Sequence, residues 1–155
     1  MTEASKWQPA RFLDEDEKVY DDIFARARDL VDDPLQVMLV ALRFLADAMA
    51  DLPNGHPGCL VAASCYYERL FDQDVQDINR EGVLRWRKRF RAMFDEISKV
   101  YPPREAIDLD ELADTVSTVL EGGIVMAKAL DDPRILPQKI LVLRSLLKLH
   151  FKVAE

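Results

Sequence analysis

Hydroxyl, thiol and phenol groups are concentrated in residues 58–67, a stretch without charged side chains. Its polar members are Cys59, Ser64, Cys65, Tyr66 and Tyr67. Such groups can hydrogen-bond a small ligand, a water or a neighbouring helix end, and the sequence leaves these alternatives open. Because a helix without a polar face is expected inside a bundle, we expect this segment at the centre of the fold.

The sequence contains no recognisable catalytic or metal-binding pattern. Cys59 and Cys65 lie about 120° apart on a helical wheel, which suits neither a disulfide nor a metal pair. His56 and His150 are the only histidines, and neither has a Cys or His at ligand spacing. Nucleophile triads, phosphate loops and paired carboxylates are also absent from the sequence. We therefore expect no enzyme activity, no metal and no cofactor.

Composition narrows the class of protein. The chain has 155 residues, 49% of them hydrophobic, which suits one domain with a sizeable core. Its net charge of −7 repels a phosphate backbone. Basic residues between Arg80 and Arg91 scatter around the helical wheel, so we interpret them as a solvated face.

No apolar run approaches the ~20 residues of a membrane span. Unpaired cysteines suit a reducing cytoplasm.

Proline and aspartate divide the chain into six helical segments, and no strand alternation or repeat is visible. Residues 1–13 are predicted to form a flexible N-terminal arm, and residues 14–155 a single all-α domain. The predicted helices are 14–31, 34–52, 58–71, 75–101, 108–130 and 137–153.

Local signals define several of these boundaries. Asp33-Pro34 supplies an N-cap and a first helical residue, and Asp108 followed by Glu111 resembles a capping box. Pro137 lacks the N–H that a helix interior needs, so we expect a short turn before it and the last helix after it.

The last helix has two apolar seams. The first is formed by Ile140, Leu143, Leu147 and Phe151, and the second by Val142, Leu146, Leu149 and Val153. One seam can pack on the core of its own chain. The second needs a partner, and a symmetric homodimer is the commonest solution.

Four features together resemble the C-terminal ligand-binding and dimerisation domain of TetR-family transcriptional regulators. They are the helix start Gly58-Cys59-Leu60, the charged helix at 80–87, the sequence Leu120-Glu121-Gly122-Gly123 followed by Asp132-Pro133, and the leucine-rich last helix. The resemblance covers residues 14–151. It implies an all-α six-helix bundle that dimerises through its last two helices.

The resemblance also implies two sets of site residues. The effector cavity would be lined by Met38, Leu42, Cys59, Ala63, Tyr66, Tyr67, Trp86, Phe90, Phe94 and Val119. The dimer interface would contain Ser117, Leu120, Gly123, Ile124, Ala127, Leu143, Leu146, Leu147 and His150. For the aromatic stripe from Trp86 to Tyr101, core packing and cavity lining both remain open.

TetR-family regulators begin with a DNA-binding head, and residues 1–13 are too short to form one. The expected function is therefore the sensing of a small apolar effector and homodimerisation, without direct contact to DNA or membrane. The alternative is a headless partner that forms a heterodimer with an intact regulator.

We predict that the isolated chain shows no salt-dependent binding to DNA, because its net charge is negative. A chain that neutralised several phosphates would show log affinity falling steeply with log salt concentration. Fluorescence anisotropy with a labelled duplex across a salt series measures this slope, and a strongly negative slope would contradict the prediction.

Overall fold

A computed structural model describes residues 3–151, with side chains described for residues 17–151. This part of the chain forms six α-helices, one 3₁₀ turn and no β-strand, which confirms the predicted fold class. The helices are α1 (Glu3–Leu30), α2 (Pro34–Ala50), α3 (Leu60–Tyr66), α4 (Gln73–Val100), α5 (Leu109–Ala129) and α6 (Ile135–His150), and the 3₁₀ turn is Glu68–Leu70.

Helix α2 lies at the centre of the bundle. It packs on α1, α4 and α6, and most of its apolar side chains are fully buried. These are Leu35, Met38, Leu39, Ala41, Leu42, Leu45 and Ala46. A helix that is apolar on most sides is expected in this central position.

Aspartate caps begin three of the helices. The Asp33 carboxylate accepts a hydrogen bond from the Gln36 backbone N–H at 2.8 Å, and Asp108 accepts one from Asp110 at 2.7 Å. Both caps were predicted from the sequence. Asp72 caps α4 in the same way. Each cap satisfies a backbone donor that would otherwise lack a partner in the first helical turn.

Helices α1 and α4 run parallel to each other. Arg85 pairs with Glu17 and Arg89 pairs with Asp21, so the contacts advance in the same direction along both helices. The Phe24 ring meets the Phe90 ring edge-on at 6.4 Å between centroids.

The structure corrects three details of the predicted first helix. Helix α1 begins at Glu3 rather than near Asp14. The predicted division into an N-terminal arm and one domain stays a prediction. Residues 1–2 lie outside the described residues. Val19 and Leu30 were expected on the apolar stripe but are exposed, because the buried face of α1 narrows to Ile23, Phe24 and Ala27.

Helices α5 and α6 approach each other closely at Gly123. A Cβ at this position would lie 2.9 Å from Leu136 Cδ1, so only glycine fits without a shift of that leucine.

Helix α6 begins at Ile135, before Pro137, which corrects the predicted start. Pro137 is tolerated because the backbone N–H groups of a first helical turn have no intrahelical acceptor. The helix ends at His150, whereas the predicted end, Val153, lies outside the described residues.

The segment 58–71 departs most from the sequence prediction. It was expected as one helix at the bundle centre, but α3 has 7 residues and lies on the surface. The side chains of Tyr66 and Tyr67 are 76% and 64% exposed. Helix α2 already fills the centre, and the lack of charge in this segment reflects small residues on a partly covered surface helix.

One residue of α3 is fully buried. Ser64 accepts a hydrogen bond from the Asn79 side-chain amide at 2.7 Å and donates to the Val61 carbonyl at 2.9 Å. This contact fastens α3 to α4 through polar groups rather than through an apolar core.

We predict that Asp33→Ala lowers the free energy of unfolding by about 1–2 kcal/mol, because the N-cap of the central helix is lost. Asp33 also accepts a hydrogen bond from the Tyr101 hydroxyl, which ties the start of α2 to the end of α4. The matched control is Asp32→Ala, since Asp32 is exposed and forms no hydrogen bond within residues 17–151. Equal urea midpoints for the two variants would contradict the prediction.

Candidate functional site

Helix α6 presents its two apolar seams to different surroundings. Ile140, Leu143, Leu147 and Phe151 are buried in the core, as predicted for the first seam. Val142, Leu146 and Leu149 of the second seam are 53%, 56% and 65% exposed in the single chain. The second seam is therefore an apolar strip that stays exposed among the described residues, and its fourth member, Val153, lies outside them.

Helix α5 extends this exposed strip. Val125 and Met126 are exposed, and so are the small residues Gly122 and Ala129 on the same side. Helices α5 and α6 pack against each other, and Thr115 of α5 lines the same groove as Leu146 and Leu149 of α6. We call this combined surface of α5 and α6 the apolar face.

The predicted interface residues divide between this face and the interior. Leu146 is exposed, and Ser117, Ala127 and His150 are partly exposed. The remaining predicted members, Leu120, Gly123, Ile124, Leu143 and Leu147, are buried within their own chain. Those five residues pack between the helices of their own chain. The dimer itself stays a prediction.

A groove of about 380 Å³ lies at one end of the apolar face. Leu143, Leu146 and Leu149 line it, together with Arg104 and His150. The His150 Nε2 atom is buried and has no hydrogen-bond partner among the described residues. A buried polar atom without a partner costs free energy, so a group from outside the chain would be favoured there.

A second cavity, of about 210 Å³, lies where α1 ends and α2 begins, facing the second half of α4. Its apolar walls come from Phe24, Val31, Pro34, Val37, Met38 and Met93. Its charged residues are Arg28, Asp32 and Glu96. We call this space the junction cavity.

The predicted effector residues do not all meet in one place. Met38, Leu42, Phe90 and Phe94 are buried together in the core, with Trp86 and Val119 packed partly buried against it. Cys59 is partly buried at the start of α3, whereas Ala63, Tyr66 and Tyr67 are exposed. Met38 is the predicted effector residue that lines the junction cavity.

Trp86 faces α1. Its ring meets the Tyr20 ring edge-on at 4.4 Å between centroids and lies 5.9 Å from the Phe90 ring. Aromatic pairs of this geometry stabilise helix packing. In this structure the aromatic stripe of α4 therefore packs in the core rather than around an open cavity.

The perturbed ionisable groups act as structural partners. Arg87 donates two hydrogen bonds to Asp114, at 2.9 and 2.6 Å, and these lower the pKa of the Asp114 carboxyl. Burial raises the pKa of the Cys59 thiol, and the nearby Glu121 carboxylate acts in the same direction. A thiol that stays protonated is a poor nucleophile.

Among the described residues, no three His, Cys, Asp or Glu side chains are grouped to hold a metal ion.

No helix in the described part of the chain is both long and apolar enough to cross a membrane.

The structure is similar to that of a solved regulator. The crystal structure of the regulatory protein TetR from Rhodobacter sphaeroides matches it with a TM-score of 0.69 and 18% sequence identity. The match covers 93% of this chain and 74% of that chain. No protein-family model and no curated protein sequence matches the chain. The chain therefore has a TetR-like all-α fold, which confirms the fold that the sequence resemblance implied.

Sequence reasoning missed the charged residues of the junction cavity and the α5 part of the apolar face. Apolar and small residues at helical spacing from Gly122 to Ala129 are a signal that could have revealed the second of these. Arg28 and Glu96 lie on helices far apart in the sequence, and only the folded chain brings them together.

We predict that Leu146→Arg weakens self-association by about 30-fold or more, since truncating or charging a central apolar contact costs about 2 kcal/mol. Sedimentation velocity across a concentration series measures the effect. The matched control is Leu84→Arg, the same change at an exposed leucine on α4. A Leu146→Arg protein that associates as strongly as the Leu84→Arg protein would contradict the role of the apolar face.

Proposed function

We propose that this chain is the effector-sensing and dimerisation domain of a TetR-like transcription regulator. The apolar face of α5 and α6 carries the proposal, because it leaves large apolar side chains exposed in the described part of the chain. The structural likeness to the Rhodobacter sphaeroides regulator supports the same assignment.

The apolar face supports homodimerisation on physical grounds. Five large apolar side chains, Val125, Met126, Val142, Leu146 and Leu149, stand exposed on two packed helices. Contiguous exposed apolar surface of this kind is rare on monomers and marks interaction sites. A two-fold axis across the face would bring the same two helices of each subunit together, so one surface serves both partners.

The arrangement of helices also supports effector sensing. The junction cavity touches three helices at once, so a molecule bound there contacts α1, α2 and α4 together. A ligand shifts a conformational equilibrium when it contacts one arrangement of helices better than another. Binding inside the bundle can therefore change how α1 is held relative to the dimer helices.

The same face admits an alternative partner, an intact regulator of the same fold. In that case the chain would form a heterodimer and act by withholding the regulator from DNA. The two proposals differ in self-association. A chain that is dimeric at micromolar concentration supports the homodimer, and a chain that stays monomeric at high concentration supports the heterodimer.

Regulation of transcription is tested in the source organism. We predict that deletion of the gene changes the abundance of a defined set of transcripts, and that the Leu146→Arg allele reproduces the deletion while the Leu84→Arg allele does not. The reason is that regulation requires the subunits to associate. RNA sequencing of the three strains measures this outcome. Unchanged transcripts in the deletion strain would overturn the proposed function.

A further inference from the structure

The junction cavity combines an apolar interior with three charges at its mouth. We propose that it binds a small zwitterion with an apolar side chain, such as an apolar α-amino acid. The ligand carboxylate pairs with Arg28, and its ammonium group lies between Asp32 and Glu96. The inference deepens the proposed function, on which it rests for calling the ligand an effector.

The interior of the cavity fits the apolar side chain. Phe24 and Met38 are buried, and Val37 and Met93 are partly buried around the same space. Methionine side chains are flexible and adapt to the shape of an apolar guest. The volume of about 210 Å³ is below the range of drug-sized pockets and suits a molecule of amino-acid size.

The three charged side chains of the cavity form no contact-distance ion pair within the described chain. Four arginines of α4 each pair with a carboxylate: Arg85 with Glu17, Arg87 with Asp114, Arg89 with Asp21, and Arg91 with Asp110. Among residues 17–151, the side chains of Arg28, Asp32 and Glu96 take part in no hydrogen bond and no ion pair at contact distance, and the Glu96 carboxylate interacts at longer range with Lys99, whose pKa it helps to raise. One cation and two anions therefore face a single cavity without neutralising one another at contact distance.

A zwitterion matches this set of charges better than a simple acid or a simple amine. A fatty acid would pair with Arg28 but place its carboxylate near Asp32 and Glu96. An alkylamine would satisfy the carboxylates and leave the Arg28 guanidinium without a partner. A ligand with both groups on one carbon forms both pairs, and guanidinium groups bind carboxylates in a planar, two-bonded geometry.

The backbone around the cavity is held in place before any ligand binds. The Tyr101 hydroxyl donates to the Asp33 carboxylate at 2.5 Å, so the α1–α2 turn is tied to the end of α4. The same carboxylate caps α2 through the Gln36 N–H. A cavity whose walls are already connected loses less conformational entropy on binding.

The first experiment compares four probes against the full chain by isothermal titration calorimetry. L-Leucine carries both charges and the apolar side chain, glycine lacks the side chain, isoamylamine lacks the carboxylate and 4-methylpentanoate lacks the ammonium group. We expect L-leucine to bind about 10-fold or more tightly than each of the others, since each loses one charged pair or the apolar contact. Equal binding of the amine or the acid, or no binding of leucine, methionine or phenylalanine at millimolar concentration, would overturn the proposal.

The second experiment removes one charge at a time. Arg28→Gln and Glu96→Gln are each expected to weaken L-leucine binding by about 10-fold, because each removes a charged hydrogen bond. The matched controls are Arg80→Gln and Asp22→Asn, which change exposed charges outside the cavity and should bind as the wild type does. All four positions are exposed, so the variants are expected to fold, and thermal melting checks this. Loss of binding in the controls, or its retention in both cavity variants, would overturn the assignment.

A third variant tests the apolar interior. Val37→Phe places a larger side chain in the cavity and is expected to reduce L-leucine binding by about 10-fold through overlap with the ligand side chain.

Binding of L-leucine and self-association of the chain are measured separately. A chain that dimerises without binding any amino acid overturns this inference alone, and a chain that binds leucine but stays monomeric overturns the homodimer alone.

Discussion

The burial of α2 is the constraint on which the rest of the structure depends. This helix is apolar on most of its circumference, and removing that surface from water requires neighbours on several sides. Helices α1, α4 and α6 supply them, with α5 packed outside α4 and α6. Arg144 strengthens the packing of α6 on α2, since its guanidinium donates to the Leu39 carbonyl at 2.8 Å.

The central position of α2 explains why α3 lies at the surface. Once the centre is occupied, a seven-residue helix can cover one edge of the bundle but cannot enter it. The left-handed backbone at Gly58 and the extended Cys59 shorten this helix further. Helices α5 and α6 differ from α3 in this respect. Each packs on the bundle along one side and exposes apolar side chains along the other. Surface exposure thus has two different origins in this fold.

Charge has a structural role along α4. The basic run that could suggest nucleic-acid binding is largely neutralised by carboxylates of α1 and α5, through four arginine pairs. Most of these groups are partly exposed, so each pair contributes modestly to stability and together they orient the helices. The side chains of Arg28, Asp32 and Glu96 in the junction cavity differ from the α4 arginines, because they form no ion pair at contact distance.

The sequence by itself determined the helical character of the chain, the aspartate caps of α2 and α5 and the two seams of α6, because these depend on local hydrogen bonds and on helical periodicity. It also determined the fold class. Only the tertiary structure decided that Tyr66 and Tyr67 face solvent, that Gly123 accommodates Leu136, and that Arg28 and Glu96 line the same cavity. These outcomes depend on which helix takes the central position, and periodicity within one helix carries no information about its neighbours.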